Sequence, residues 1–211
     1  MRVASFFAGV GGIDLGFLQA GFDVIWANEF DERASQTYRS NFSSTLLTED
    51  IRKVKASAIP DFDIMVGGFP CQAFSLAGKL LGFGDERGNL FFELERILKE
   101  KKPKAVFLEN VKNLINHDNG NIYRVIWSRL TEAGYFVREQ IMNSCEYGNL
   151  PQNRERIYIV GFRDRKVYER FYFPRPIPLT TKLSDCINMV EPVEENFYYR
   201  QGTCQFYETL A

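Results

Sequence analysis

The stretch RVASFFAGVGGIDLGFLQAGFDVIWANE, Arg2 to Glu29, decides the fold. RVASFFA is an apolar run of strand length, glycines at 9, 11 and 12 turn the chain, GIDLGFLQAG has helical period, and FDVIWANE reads as a second strand. That is one strand–helix–strand crossover, and the chain goes on repeating it. DERASQTYRSNF is a helix opened by Asp31, FDIMVGG a strand, NLFFELERILKEKK a helix and KAVFLEN a strand. NGNIYRVIWSRLTEAG follows as a helix closed by Gly134, and RERIYIVGFR as a late strand. The alternation predicts an α/β fold, a doubly wound and mostly parallel sheet with helices on both faces. Ligands of such sheets lie off the carboxyl ends of the strands, where the chemically interesting residues of this chain also fall.

Composition narrows the class. The chain has 211 residues, 45% hydrophobic and 25% charged, enough for one full core. Cys71, Cys145, Cys186 and Cys204 are scattered, which suits a reducing compartment and argues against a disulfide framework or a zinc site. The apolar start is broken by glycines and reaches Asp14 too soon for a membrane span or signal peptide, so a cytoplasmic protein without a membrane partner is expected. The single histidine, His117, leaves no Ser-His-Asp triad and no multi-histidine metal cluster, and no metal is expected. The net charge of −1 does not advertise nucleic-acid binding. Arg154 to Arg175, however, holds seven basic and three acidic residues with aromatics interleaved, a solvated face or a phosphate-binding surface.

Three stretches carry candidate chemistry. FAGVGGIDLG lets the backbone come close to a ligand at the start of a helix, but its spacing is not G-x-G-x-x-G. Glu29 ends the second strand eighteen residues beyond Gly11, where a carboxylate can accept from ribose hydroxyls, and Asp50 follows at about the end of the next unit, placed for an adenine amine. Each alone reads as a helix cap or surface charge. Together they outline a pocket for an adenosine without a pyrophosphate, which favours S-adenosylmethionine over a dinucleotide. The third stretch, GGFPCQAFSLAGKLLGFGDERGNLFFE from Gly67 to Glu93, puts Cys71 at the mouth of a glycine-studded loop, either as a small hydrophobe at a turn or as a nucleophile under a lid.

The ordered set FFAGVGG, NEFD, EDI, GGFPCQAFS, FLENVKN and YGNLPQNRERIYIVG resembles the cytosine-5 DNA methyltransferases of bacterial restriction–modification systems, from Arg2 to about Phe173. The resemblance implies the S-adenosylmethionine-dependent, Rossmann-like version of the doubly wound fold. It places Phe7, Ala8, Gly9, Gly11 and Gly12 along the cofactor, Glu29 on its ribose and Asp50 on its adenine, with Phe30, Ile51, Pro70 and Leu90 packed around it. Ser5 departs from the family, which usually has an acidic residue there.

The same resemblance makes Cys71 the nucleophile that adds to carbon 6 of cytosine, so that carbon 5 can take the methyl group. Glu109 shares a proton at nitrogen 3, Arg156 holds the base's carbonyl oxygen and Arg154 supports the site. A base in a duplex must be flipped out to reach them, with Gln72, Ser75 and Lys79 of the lid on the DNA backbone. The family continues with a target-recognition domain and a final cofactor motif. The expected division is therefore a catalytic domain over 1–180 and the start of an incomplete small domain over 181–211. A second polypeptide is expected to complete a double-stranded-DNA enzyme. The alternatives are a non-catalytic remnant that binds cofactor or DNA, and an RNA-directed relative with the same chemistry.

Overall fold

A computed structural model describes residues 1–70 and 90–187. The strands are β1 (Arg2–Phe6), β2 (Asp23–Glu29), β3 (Thr45–Thr48), β4 (Ile64–Gly67), β5 (Ala105–Val111), β6 (Phe136–Asn143) and β7 (Glu155–Phe162). They form one sheet in the order β3-β2-β1-β4-β5-β7-β6. β1 to β5 are parallel, whereas β7 lies between β5 and β6 and runs antiparallel to both. The doubly wound architecture expected from the alternation is therefore present, with an antiparallel pair at one side. Successive connections leave β1 toward β2 and β3, then cross to β4 and β5, so the order reverses between β1 and β4. A crevice opens at such a point.

The principal helices are α1 (Gly12–Gln19), α2 (Glu32–Asn41), α3 (Leu90–Lys101) and α4 (Asn121–Glu132). Shorter ones are α5 (Ser144–Tyr147), α6 (Arg165–Arg170) and α7 (Leu183–Cys186). Two apolar layers sandwich the sheet. Ala4, Phe6, Met65, Val106 and Leu108 face α3 and α4 through Phe91, Leu94, Ile97, Leu98 and Ile126. Val3, Val24, Ile64 and Val66 face the opposite way with Ile13 and Phe17 of α1. All four residues of β4 are buried, as a central parallel strand covered on both faces requires.

Local chemistry sets the element ends. Asp31 caps α2 by accepting from the Ala34 amide at 2.8 Å, an interaction of about 1 kcal/mol. Gly134, at φ 89, ends α4: its N–H donates to Thr131 O and the next amide, of Tyr135, to Leu130 O, which uses up two otherwise orphaned carbonyls. Among the described residues no helix is long and apolar enough to cross a membrane, and no cluster of His, Cys, Asp or Glu is placed to hold a metal ion. The boundary expected near residue 180 falls just ahead of α7, and residues 188–211 lie outside the described residues.

Candidate active site at the carboxyl edge

Register brings the motifs into one row. Asn28, Phe6, Gly67 and Leu108 are aligned across β2, β1, β4 and β5, so Glu29, Phe7, Gly68 and Glu109 follow as the next row at the carboxyl edge. Glu29 and Glu109 are three strand spacings apart, about 14 Å, a span suited to a ligand lying across the crevice.

Over β1 the chain makes its turn at a conformational cost. Phe7 has φ 55, a left-handed conformation uncommon for a side-chain-bearing residue, and Gly9 and Gly11 have φ 57 and 92. A Cβ on Gly11 would run into the Phe42 ring at a φ that side-chain-bearing residues rarely adopt, so a substitution there is strained. The space over Gly9 and Gly12 is open. Ala8 ties the turn to β2 by donating its amide to Asn28 O at 3.0 Å.

Glu29 organises this turn. Its Oε2 accepts from the Gly9 amide at 2.7 Å, and its Oε1 accepts from the Phe30 and Asp31 amides at 2.7 Å each. A carboxylate has about four acceptor directions, so about one is left for a ribose hydroxyl, where the sequence reading foresaw two. Phe30 projects beside it, 72% exposed.

Two other expected cofactor contacts look different in the fold. Asp50 caps the turn Ile51–Lys53 and is held by Arg52, whose Nε reaches both of its oxygens at 2.9 and 3.0 Å. The Arg52 guanidinium keeps the Asp50 carboxyl below its ordinary range, so an adenine amine would have to share or displace that partner. Ile51 is 2% exposed and its side chain belongs to the main core. Pro70 is exposed at the end of the β4 loop, and Leu90, partly buried against the core, opens α3.

The other half of the row carries a paired carboxyl and guanidinium. Arg156 Nε lies 3.0 Å from Glu109 Oε1, each side chain 20% exposed. Burial pushes the Glu109 carboxyl above its ordinary value, while the Arg156 and Arg154 guanidinium groups pull it back. A Cβ on Gly68 would stand 3.4 Å from Glu109 Oε2, so the carboxyl lies directly against the GGFP segment. Cys71, Gln72, Ser75 and Lys79 fall outside the described residues; Pro70, the residue before Cys71, is at this edge.

Two residues that the sequence reading passed over hold this edge together. Asn110, 4% exposed, donates from Nδ2 to Phe69 O at 2.8 Å and accepts from the Val111 amide at 2.8 Å. It thereby anchors the carbonyl two residues ahead of Cys71. Asp14 is the buried residue of α1, 1% exposed, and accepts from Ser5 Oγ at 2.5 Å and Tyr38 Oη at 2.8 Å. Burial raises its pKa, against the lowering effect of those two hydrogen bonds. Ser5 at a usually acidic position thus has a carboxylate partner nine residues on, beneath the glycine turn.

The basic segment Arg154–Arg175 does not form one surface. Because β7 is antiparallel, Arg154 and Arg156 stand at the carboxyl edge, whereas Arg163, next to Phe162 at the opposite end, reaches toward Lys102 O. Arg165 pairs with Glu169 in α6. Arg154 and Arg156, at the start of β7, are members of this segment whose charge acts on the Glu109 carboxyl.

Residues 1–211 match the family model described as C-5 cytosine-specific DNA methylase. The chain is 52% identical over 212 residues to the type II methyltransferase M.Bsp6I of Bacillus sp. (strain RFL6), covering 100% of this chain and 67% of that protein. It is 47% identical over 197 residues to M.HaeII of Haemophilus aegyptius, covering 93% of this chain and 60% of that one. The chain thus spans about two thirds or less of these relatives. The crystal structure of a DNMT2 mutant from Spodoptera frugiperda shares the fold, with a TM-score of 0.77 at 23% identity over 98% of this chain and 65% of that one. The chain belongs to the C-5 cytosine-specific DNA methylase family.

Proposed function

We propose that this chain carries the catalytic portion of a restriction–modification DNA (cytosine-5-)-methyltransferase, which moves a methyl group from S-adenosylmethionine to carbon 5 of a cytosine flipped out of duplex DNA. The observation that carries the reading is the half-buried Glu109–Arg156 pair, set against the GGFP segment that leads into Cys71. The relatives' remaining length contributes to duplex recognition, whether joined to this chain or supplied by a second polypeptide. A cytoplasmic location accords with bacterial relatives of this type.

The open backbone over Gly9 and Gly12, the free acceptor direction on Glu29 and the exposed Phe30 ring fit an adenosyl group lying across the crevice. When bound, S-adenosylmethionine supplies an electrophilic methyl on a sulfonium. Phe7, Ala8, Gly9, Gly11 and Gly12 shape the floor of its site, Glu29 accepts from the ribose, and Pro70 and Leu90 border it. Asp50 keeps its assignment to the adenine edge only in competition with Arg52.

On the base side, the Cys71 thiolate forms a bond to carbon 6 of cytosine, and the electron pair displaced across the ring is met at nitrogen 3 by a proton from Glu109. Burial raises the Glu109 pKa against the pull of Arg156 and Arg154, which favours the protonated form the role demands. Arg156 holds both Glu109 and the base's carbonyl oxygen, and Arg154 adds positive field. Carbon 5, now nucleophilic, takes the methyl group as its bond to the sulfonium breaks; nitrogen 3 returns its proton to Glu109, and loss of the carbon-5 proton to a base then expels the thiolate and restores the aromatic ring. Gln72, Ser75 and Lys79 grip the DNA backbone around the flipped nucleotide.

The test is covalent trapping. With S-adenosylmethionine and duplex DNA containing 5-fluorocytosine, the native enzyme should form a stable adduct at Cys71, and Cys71→Ser should form none. An adduct at Cys145, or one formed only with RNA, would refute the reading.

A further inference from the structure

The chain leaves β7 at the end of the sheet far from the site and then comes back. Residues 171–181 form an irregular strap held at both ends. At the far end, Arg138 Nη1 donates to Phe171 O at 2.6 Å, and the Phe171 ring packs on Phe162 and Phe173 with centroids 5.1 Å away in each case. At the site end, the Ile177 amide donates to Glu146 O at 2.7 Å. Asn149 then closes the strap. Its Oδ1 accepts from the Thr180 amide at 2.7 Å and the Thr181 amide at 3.1 Å, and its Nδ2 donates to Thr180 Oγ1 at 3.0 Å.

Asn149 has φ 51, a left-handed conformation that asparagine tolerates better than most residues. It sits in the loop between α5 and β7, five residues before Arg154. The inner side of that loop is tied as well: Asn143 Oδ1 accepts from the Arg154 amide at 2.9 Å, Asn143 Nδ2 donates to Asn153 Oδ1 at 2.6 Å, and the Ser144 amide donates to Arg154 O at 3.1 Å. The β6–β7 connection therefore grips the start of β7 with Asn143, at the end of β6, and the returning strap with Asn149. Most strap side chains are exposed, Ile177 and Leu179 among them at 47% and 49%, so burial does little to hold it and the polar clasp carries the load.

We propose that Asn149 is a positioning residue for methyl transfer: by clasping Thr180 and Thr181 it braces the loop that sets Arg154 and Arg156 against Glu109. This rests on the site reading given above. A braced loop holds the guanidinium groups at a fixed height over the carboxyl edge, and a released one lets the first residues of β7 fray.

Asn149→Gly, which accepts φ 51 without strain, and Asn149→Asp, which keeps the acceptor oxygens, test this in the full chain and in the intact enzyme. In Asn149→Gly, amide hydrogen exchange should quicken about tenfold or more at Thr180, at Thr181 and also at Arg154. The kcat for DNA methylation should fall about tenfold with KM for S-adenosylmethionine unchanged, the mark of lost positioning at the base. Asn149→Asp should restore both readouts. Faster exchange at Thr180 and Thr181 with Arg154 unaffected would overturn the coupling, as would unchanged exchange at Thr180 and Thr181 or an unchanged kcat. Were the native enzyme to transfer no methyl group, the proposed function would fall, and exchange at Arg154 alone would decide the bracing.

Discussion

Arg156 reaches Glu109 diagonally. Its register partner on β5 is Val111, and Glu109 faces Tyr158, yet Arg156 Nε closes to 3.0 Å on Glu109 Oε1. The pair therefore slants back from the edge into the sheet, where the carboxyl is shielded enough for burial to outweigh two guanidinium groups.

That balance gives a signed pH dependence. Glu109 titrates above its ordinary value of 4.5, so its neutral form is the one favoured by the fold. Its contribution to stability is present below 4.5 and is lost as pH rises through the raised value. Methyl transfer should decline along the same limb, since the proton donor is being consumed. Arg156→Ala should move that limb to higher pH and lower kcat, and Glu109→Gln should abolish it; pH–rate and pH–denaturation profiles of the three proteins check this.

Asn110→Asp should be far more damaging than its size suggests. It replaces a donor facing Phe69 O with an acceptor, leaving a buried carbonyl unpaired at about 1–3 kcal/mol. Protonation of the new carboxyl restores a donor, so the variant's stability should recover toward wild type as pH falls. Urea denaturation at several pH values measures this, and Asn110→Ala, which cannot be rescued by acid, is the control.

The Asp14 cluster should behave in a related way. Ser5→Ala or Tyr38→Phe removes one donor from a buried carboxyl and should cost about 1–3 kcal/mol while raising its pKa further. In the native protein the neutral form of Asp14 is favoured, so stability from this group is lost as pH rises through its raised value. Asp14→Asn should flatten that part of the curve, as thermal melts across pH would show.

Much of this was legible before any coordinates. Apolar runs and glycine punctuation gave the parallel core because each signal is local: a strand, a turn and a helix are all visible within about 25 residues, as from Arg2 to Trp26. Two strands were not. TLLT of β3 is short and only half buried, and FVREQIMN of β6 places Arg138, Glu139 and Gln140 in succession, so the alternation of a strand disappears. Both are edge strands, where one face and one flank meet water and apolar periodicity is no longer enforced. Among site residues, Asp50 is legible as a cap because its partner amide is two residues on, whereas its pairing with Arg52 shows only in the fold. The roles of Asn110 and Asp14 were not legible, because their partners Phe69 and Tyr38 are 41 and 24 residues away and only the sheet brings them together.

Glu29→Ala should weaken S-adenosylmethionine binding by about 1.5–3 kcal/mol through the lost charged acceptor. It should also loosen the glycine turn, because the Gly9, Phe30 and Asp31 amides lose their common partner. Glu29→Gln, which keeps one oxygen acceptor, should retain part of the affinity. Calorimetric titration with S-adenosylmethionine separates the variants, and equal affinity in all three would remove Glu29 from the cofactor site.

The reversed direction of β7 has a consequence for how such a chain can change length. On β1, β2 and β5 the working residues stand where a strand is about to end, so insertions in the loops that follow fall next to the chemistry. On β7 they stand where the strand begins, and everything from Arg163 to Phe171 turns around at the opposite end of the sheet. Residues can be gained or lost there without moving Arg154 or Arg156, whereas a single deletion between Asn149 and Arg154 falls on the short stretch that Asn143 and Asn149 hold, and displaces Arg154 at the mouth of the site. Natural length variation should gather at the first place and be purged from the second.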